Sequence, residues 1–222
     1  MDNAVALVQA YLRVNGYFTV AEYPVIEAMR GGRYRSLTDI DILAFRFPGA
    51  GRPIRGRRRR TVDVEHHAPD PLLGRPGEMA DMLVGEVKEG RARLNPAARD
   101  PAVLRAALVR FGCCTEAEAP RIVSDLARRG EATTPGGHQV RLVVFGSRGP
   151  DPEPAAATFV PLGHILAFLE EHFREHWELV RHAQLNDPIL GLLLTLEKAR
   201  RGTADREPPP ADHACTLTRS NP

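Results

Sequence analysis

The chain has 222 residues, enough for one large domain or one domain with an appendage. Hydrophobic residues make up 43% and charged residues 26%, ordinary for a soluble globular protein, and no apolar run is long and charge-free enough to span a bilayer. The first ten residues lack the basic start and apolar core of a secretory signal, so a cytoplasmic location is expected, and Cys113, Cys114 and Cys215 make neither a disulfide framework nor a Cys-x-x-Cys zinc pair. Net charge is only +2, but Arg52, Arg55, Arg57, Arg58, Arg59 and Arg60 crowd one short stretch. Such a patch suits phosphate binding, and is equally common in solvated or disordered loops.

In chain order, Asp2 is a helix cap, Val5, Val8, Tyr11 and Leu12 recur at helical spacing, and Asn15-Gly16 is a stop. Residues 17–26 are rich in β-branched and aromatic side chains and read as a strand; Gly31-Gly32 is a turn. Residues 35–47 read as a second strand, with Ile40 and Ile42 on one face and Asp39, Asp41 and Leu43 on the other. Residues 48–80 read as a long insertion carrying the arginine run, with a short strand at 61–66 as an option. Residues 82–88 form a third strand ended by Glu89-Gly90.

Asp100-Pro101 starts a helix with Val103, Leu104, Ala107, Leu108 and Phe111 on one side. Thr115 caps another, with Ile122, Val123 and Leu126 inward and Gly130 as its stop. A strongly apolar fourth strand covers 139–145, a short fifth covers 157–161, and residues 162–182 read as one long amphipathic helix. Asp187-Pro188 starts a last helix running to about Arg201, and residues 202–222, with three consecutive prolines, read as a disordered tail. The order predicts an α/β fold: a mixed central sheet flanked by helices, in one domain over residues 1–201.

Chemistry concentrates on two strands. Glu86 and Lys88 are two apart and share a face, and pairing of the second and third strands brings Asp41 beside Glu86. Charges on core strands are costly unless paired or metal-bound. Carboxylate oxygens suit the hard cations Mg²⁺ and Mn²⁺, which polarise a phosphate oxygen and acidify an attacking water, while a lysine offsets developing negative charge. The plain alternative is a surface strand end where Glu86 and Lys88 pair with each other and Asp41 bonds backbone amides.

The segments Asp41-Ile42-Leu43-Ala44 and Glu86-Val87-Lys88 resemble the motif of the PD-(D/E)xK nuclease superfamily, whose restriction-endonuclease-like fold has an α-β-β-β-α-β core. The resemblance implies Asp41 and Glu86 as metal ligands and Lys88 as the catalytic lysine, with Mg²⁺ or Mn²⁺ as cofactor and nucleic acid, DNA ahead of RNA, as partner. The sequence departs from the pattern in three ways. Ile40 stands where many members have proline, the insertion separates the half-motifs, and the first helix has no glutamate but only Gln9. Glu22, Glu27 and Asp39 are further candidate acids. A nuclease-fold module without chemistry, holding nucleic acid or a protein partner, is the competing expectation, and residues 189–196 are an apolar segment that docks a partner or a second copy or, as the preferred reading, is a fully buried helix.

Other features weigh less. His66 and His67 near Asp63, Glu65 and Asp70 read as a solvated loop rather than zinc ligands. His172, His176 and His182 read as an exposed helix face. Two helices followed by residues 131–133 and the Gly136-Gly137 turn resemble a winged helix with Arg121, Arg128 and Arg129 near DNA. A crossover between the third and fourth core strands is the preferred reading.

Overall fold

The structure, a computed structural model, describes residues 2–50, 70–74, 79–93, 95–149 and 156–204. Helix α1 (Asn3–Val14) begins where the Asp2 carboxylate accepts the Ala4 N–H at 2.8 Å. It leads into β1 (Phe18–Ala28) and β2 (Tyr34–Arg46), an antiparallel pair turned by Gly31 and Gly32, both at positive φ. After a 3-10 turn at Pro71–Leu73, β3 (Ala80–Arg91) runs on past Glu89-Gly90. Helices α2 (Pro101–Arg110) and α3 (Ala119–Arg129) follow. Then come β4 (Glu131–Thr133), β5 (His138–Arg148), β6 (Thr158–Pro161), α4 (Leu162–Glu175), α5 (Trp177–Val180) and α6 (Pro188–Ala204).

The strands form a mixed sheet in the order β1-β2-β3-β5-β4, with β6 also paired to β5. β3 and β5 are parallel, so α2 and α3 are their crossover. β4 nevertheless makes a small antiparallel hairpin with the start of β5, so a wing-like unit and a core strand share the same residues. Helices α1, α4 and α6 cover one sheet face through Val8, Leu12, Ile165, Leu169 and Leu193, packed on Ile42, Leu83, Val143 and Phe145. Helices α2 and α3 cover the other through Leu104, Leu108, Ile122 and Leu126, packed on Leu43, Met82, Val84 and Leu142. Among the described residues no helix is long and apolar enough to cross a membrane.

Several details differ from what spacing predicts. Ile40 and Ile42 do not share a face: Ile42 lies in the core under α1, Ile40 in the core under α2. The alternation breaks between the pairs Ala21↔Ile42 and Tyr23↔Ile40, where Glu22 has φ 51, a left-handed backbone that strictly alternating strands do not contain. Phe111 lies just past α2 and is 42% exposed, edge-on to Tyr23 at 5.0 Å between ring centroids. α3 starts at Ala119, one turn after Thr115, whose N–H and hydroxyl both donate to Glu118 Oε2 at 2.8 Å. The long C-terminal helix is two helices parted at His176 (φ −100, ψ 23), a turn that returns Val180 to the core. His172 is buried rather than on an exposed face, its ring 4.5 Å from that of His176. In the 189–196 segment, Leu190, Leu193 and Leu194 are buried while Leu192 and Leu196 are exposed. α6 reaches Ala204; the optional strand at 61–66, most of the insertion and residues 205–222 lie outside the described residues.

Candidate active site

β2 and β3 are paired from Arg46↔Asp81 to Ile42↔Gly85, and the ladder ends there. At the next step the Asp41 side chain takes over from the β2 backbone: its Oδ2 accepts the Val87 N–H at 2.8 Å. The two strands part at that point. Gly85 is required just before it, because a Cβ there would lie 2.4 Å from Ile42 Cγ2 and 3.0 Å from Phe145 Cε2.

Three charged side chains meet in the fork. Lys88 Nζ is 2.5 Å from Glu86 Oε1 and 3.5 Å from Asp41 Oδ2. Glu86 is only 3% exposed in its side chain, whereas Asp41 and Lys88 are 26% and 32% exposed, so the cluster is closed at its floor and open above. Burial pushes the Glu86 carboxyl above its ordinary value and the Asp41 charge adds to this, against the pull of Lys88. Burial works to lower the Lys88 value, but the hydrogen bond and charge of Glu86, then those of Asp41, outweigh it and hold the ammonium charged. The alternative of a plain strand end holds in part, since Glu86 does pair with Lys88 and Asp41 does bond an amide. It does not account for the burial of Glu86 at a point where the sheet opens.

Three other carboxylates are buried among the described residues; Glu197 pairs with Arg201 at 2.8 Å on α6, and Asp70 and Asp81 form rival clusters that are both closed. Asp81 takes Arg141 Nε at 3.0 Å on one oxygen, and Arg141 Nη2 at 2.6 Å and the Tyr17 hydroxyl at 2.5 Å on the other. Arg141 also donates to the Leu73 carbonyl at 2.5 Å. Asp70 accepts the Leu72 N–H at 2.9 Å and the Tyr11 hydroxyl at 2.7 Å, lies 2.5 Å from His164 Nε2, and donates its own N–H to Asn15. With each oxygen engaged, these groups fasten residues 70–74 to α1, α4 and β5 and leave no ligand position. An apolar hollow of about 420 Å³ beside Phe18, Phe45, Phe47, Met82 and Phe111 lies toward the Arg46 end of β2, away from the fork.

Of the further candidate acids, Glu22 and Asp39 are exposed and enter none of this cluster's hydrogen bonds or ion pairs among the described residues. Glu22 flanks Asp41 in register at the strained position. Glu27 pairs with Arg35 at 2.8 Å. Gln9 is buried and donates to Thr19 Oγ1 at 3.3 Å. Arg52, Arg55, Arg57, Arg58, Arg59 and Arg60 lie outside the described residues. Ala50, the last described residue before them, accepts from Arg46 at 2.7 Å at the Asp81 end of the sheet.

Among the described residues no group of three or more His, Cys, Asp and Glu side chains is gathered. Two carboxylates remain. Their hard oxygens suit Mg²⁺ or Mn²⁺, ions commonly held by one or two carboxylates with water and phosphate oxygens completing the shell. No family model, curated protein or solved structure matches this chain.

The members of the buried networks lie far apart in the chain, 60 residues for Arg141 and Asp81, so no spacing in the sequence reveals them. The one available signal was a lone arginine inside the apolar run of β5.

Proposed function

We propose that the chain is a divalent-metal-dependent phosphodiester hydrolase of the PD-(D/E)xK nuclease type, acting on nucleic acid, DNA ahead of RNA. The observation that carries this is the fork: a buried Glu86, a half-buried Asp41 and the Lys88 ammonium within 3.5 Å of both, where β2 and β3 separate. In this reading Asp41 and Glu86 would hold Mg²⁺ or Mn²⁺, which would supply Lewis acidity toward a phosphate oxygen and acidify an attacking water. Glu86 is held in place by burial and by Lys88. Asp41 is oriented by the Val87 N–H. Lys88 keeps its proton and donates it as a hydrogen bond to a phosphoryl oxygen, where the charge of the transition state grows.

Lys88→Met and Glu86→Gln are each expected to lower metal-dependent cleavage of plasmid DNA by at least about 100-fold, the scale of removing one electrostatic contact to the transition state, with the fold unchanged by circular dichroism. Cleavage that survives both substitutions rules out this site.

A second reading, a binding module without chemistry, is favoured by one observation. The Lys88 ammonium already sits between the two carboxylates and partly neutralises them. Calorimetric titration with Mn²⁺ separates the readings: heat that vanishes in Asp41→Asn supports the hydrolase, and no heat with intact DNA binding supports the module.

A further inference from the structure

Beyond the fork, β1 and β2 continue without β3. The pairs from Tyr23↔Ile40 to Ala28↔Tyr34 lie past the last β2–β3 pair, so the hairpin extends about 20 Å at 3.3 Å per residue as a two-stranded ribbon. Its root is fixed: Val25 is 3% and Ile40 1% exposed, both in the core under α2. A register shift between Val25 and Ile26 marks where it leaves that core. Its outer end is different in kind. Ile26 and Tyr34 are 60% and 74% exposed, and Arg30, Arg33 and Arg35 are exposed around the Gly31-Gly32 turn. Glu27, paired with Arg35, is the one acid there, so residues 26–36 carry a net charge of +2, three arginines less one glutamate.

The far side of the fork carries a net positive charge too. Lys88 is followed by Glu89, Arg91 and Arg93, a net charge of +2 over residues 88–93, three basic residues less one glutamate, and Arg91 is the register partner of Arg148 on β5. Two stretches of net positive charge therefore lie beyond the two carboxylates, one on each branch of the fork, with Glu22 and Asp39 as exposed acids near its base. A polyanion in contact with both stretches passes over the acids. A two-stranded ribbon fits the major groove of B-form DNA, about 12 Å wide, and not the deep, narrow major groove of A-form RNA. The part beyond the core, residues 26–28 against 34–36, is about 10 Å long and spans about three base pairs, and its tip lies about 20 Å from the fork, so the two address one face of one duplex.

We propose that the β1–β2 ribbon is a DNA-engaging arm that lies in the major groove of a duplex whose backbone crosses the Asp41, Glu86 and Lys88 fork. The proposal rests on the phosphodiester reading of that fork. The plain alternative is that the arginines only keep an exposed strand pair from aggregating.

The test is fluorescence anisotropy of the full chain, without divalent metal, on a labelled 24-base-pair DNA duplex at several salt concentrations. Arg30→Ala/Arg33→Ala is expected to weaken binding about 10-fold or more and to lower the salt slope by about two, one per lost phosphate contact, and adding Tyr34→Ala weakens it further. Methylation of guanine N7 in the probe is expected to weaken binding, because that atom faces the major groove. Unchanged affinity and salt slope in the arginine variant overturn the arm. So do equal or tighter binding of single strands or duplex RNA, indifference to N7 methylation, or no binding of DNA at all. A chain that binds the duplex through Arg30 and Arg33 but never cleaves it sustains the arm and refutes the hydrolase. A chain that cleaves, with the arginine variant binding normally, refutes the arm alone.

Discussion

Gly85→Ala tests how rigidly the fork is built. The added methyl would lie 2.4 Å from Ile42 Cγ2 and 3.0 Å from Phe145 Cε2, where ordinary carbon contacts are about 3.5–4.0 Å. Ile42 and Phe145 are both 0% exposed, so neither can swing into solvent. Replacing glycine by alanine within a strand brings a propensity gain of about 0.5–1 kcal/mol, but overpacking a filled core costs about 1–3 kcal/mol, and here two neighbours are struck. The clash wins, with a net loss of about 1–2 kcal/mol. At about 2–4 °C per kcal/mol for a chain of this size, the melting temperature falls by about 2–8 °C. The strain also reaches the site. Ile42 is the register partner of Gly85 and the chain neighbour of Asp41, and relieving an overlap of about 1 Å is expected to pull the Asp41 carboxylate off the Val87 N–H; in the proposed hydrolase a misplacement of that size is expected to cost about 100-fold in rate. Scanning calorimetry reads the first effect and plasmid cleavage the second. A melting temperature within 1 °C of the parent would show that Ile42 and Phe145 yield easily, and would refute a tightly held β2–β3 pair.

The raised Glu86 value has a stability consequence whose sign is fixed. A group with a folded value above its ordinary 4.5 contributes stability that is fully present below that value and is lost as pH rises through the folded value. Measured against Glu86→Gln, which does not titrate, the parent chain is therefore expected to lose stability as pH rises from 4 to 7; a parent that gains instead would contradict the assigned burial. Arg141→Met leaves Asp81, 4% exposed, without its cation and the Leu73 carbonyl without its donor, so a loss of about 3–5 kcal/mol is expected in urea unfolding. A loss under 1 kcal/mol would mean that the Tyr17 hydroxyl alone satisfies Asp81.

Much of the framework is readable from local chemistry. Asp2 and Gly130 mark helix ends because a carboxylate meets free N–H groups and a glycine takes a left-handed turn. The apolar runs of β3 and β5 read as strands, and the structure shows why they are so apolar: the two pair in parallel and helices cover both their faces. Alternation within β3 and pairing with β2 were enough to expect Asp41, Glu86 and Lys88 in one place, and the structure brings them within hydrogen-bonding range.

Periodicity and end signals, which act over a few residues, determined the order of helices and strands, the α/β class and the three charged residues to watch. Tertiary structure alone decided that the alternation of β2 breaks at Asp41, that Asp70 and Asp81 are sealed by partners up to 94 residues away, and that the C-terminal helix turns at His176. The physical reason is one of range. Capping and periodicity are settled between chain neighbours. Which carboxylate stays open to a ligand depends on what distant segments pack against it, and no spacing rule contains that.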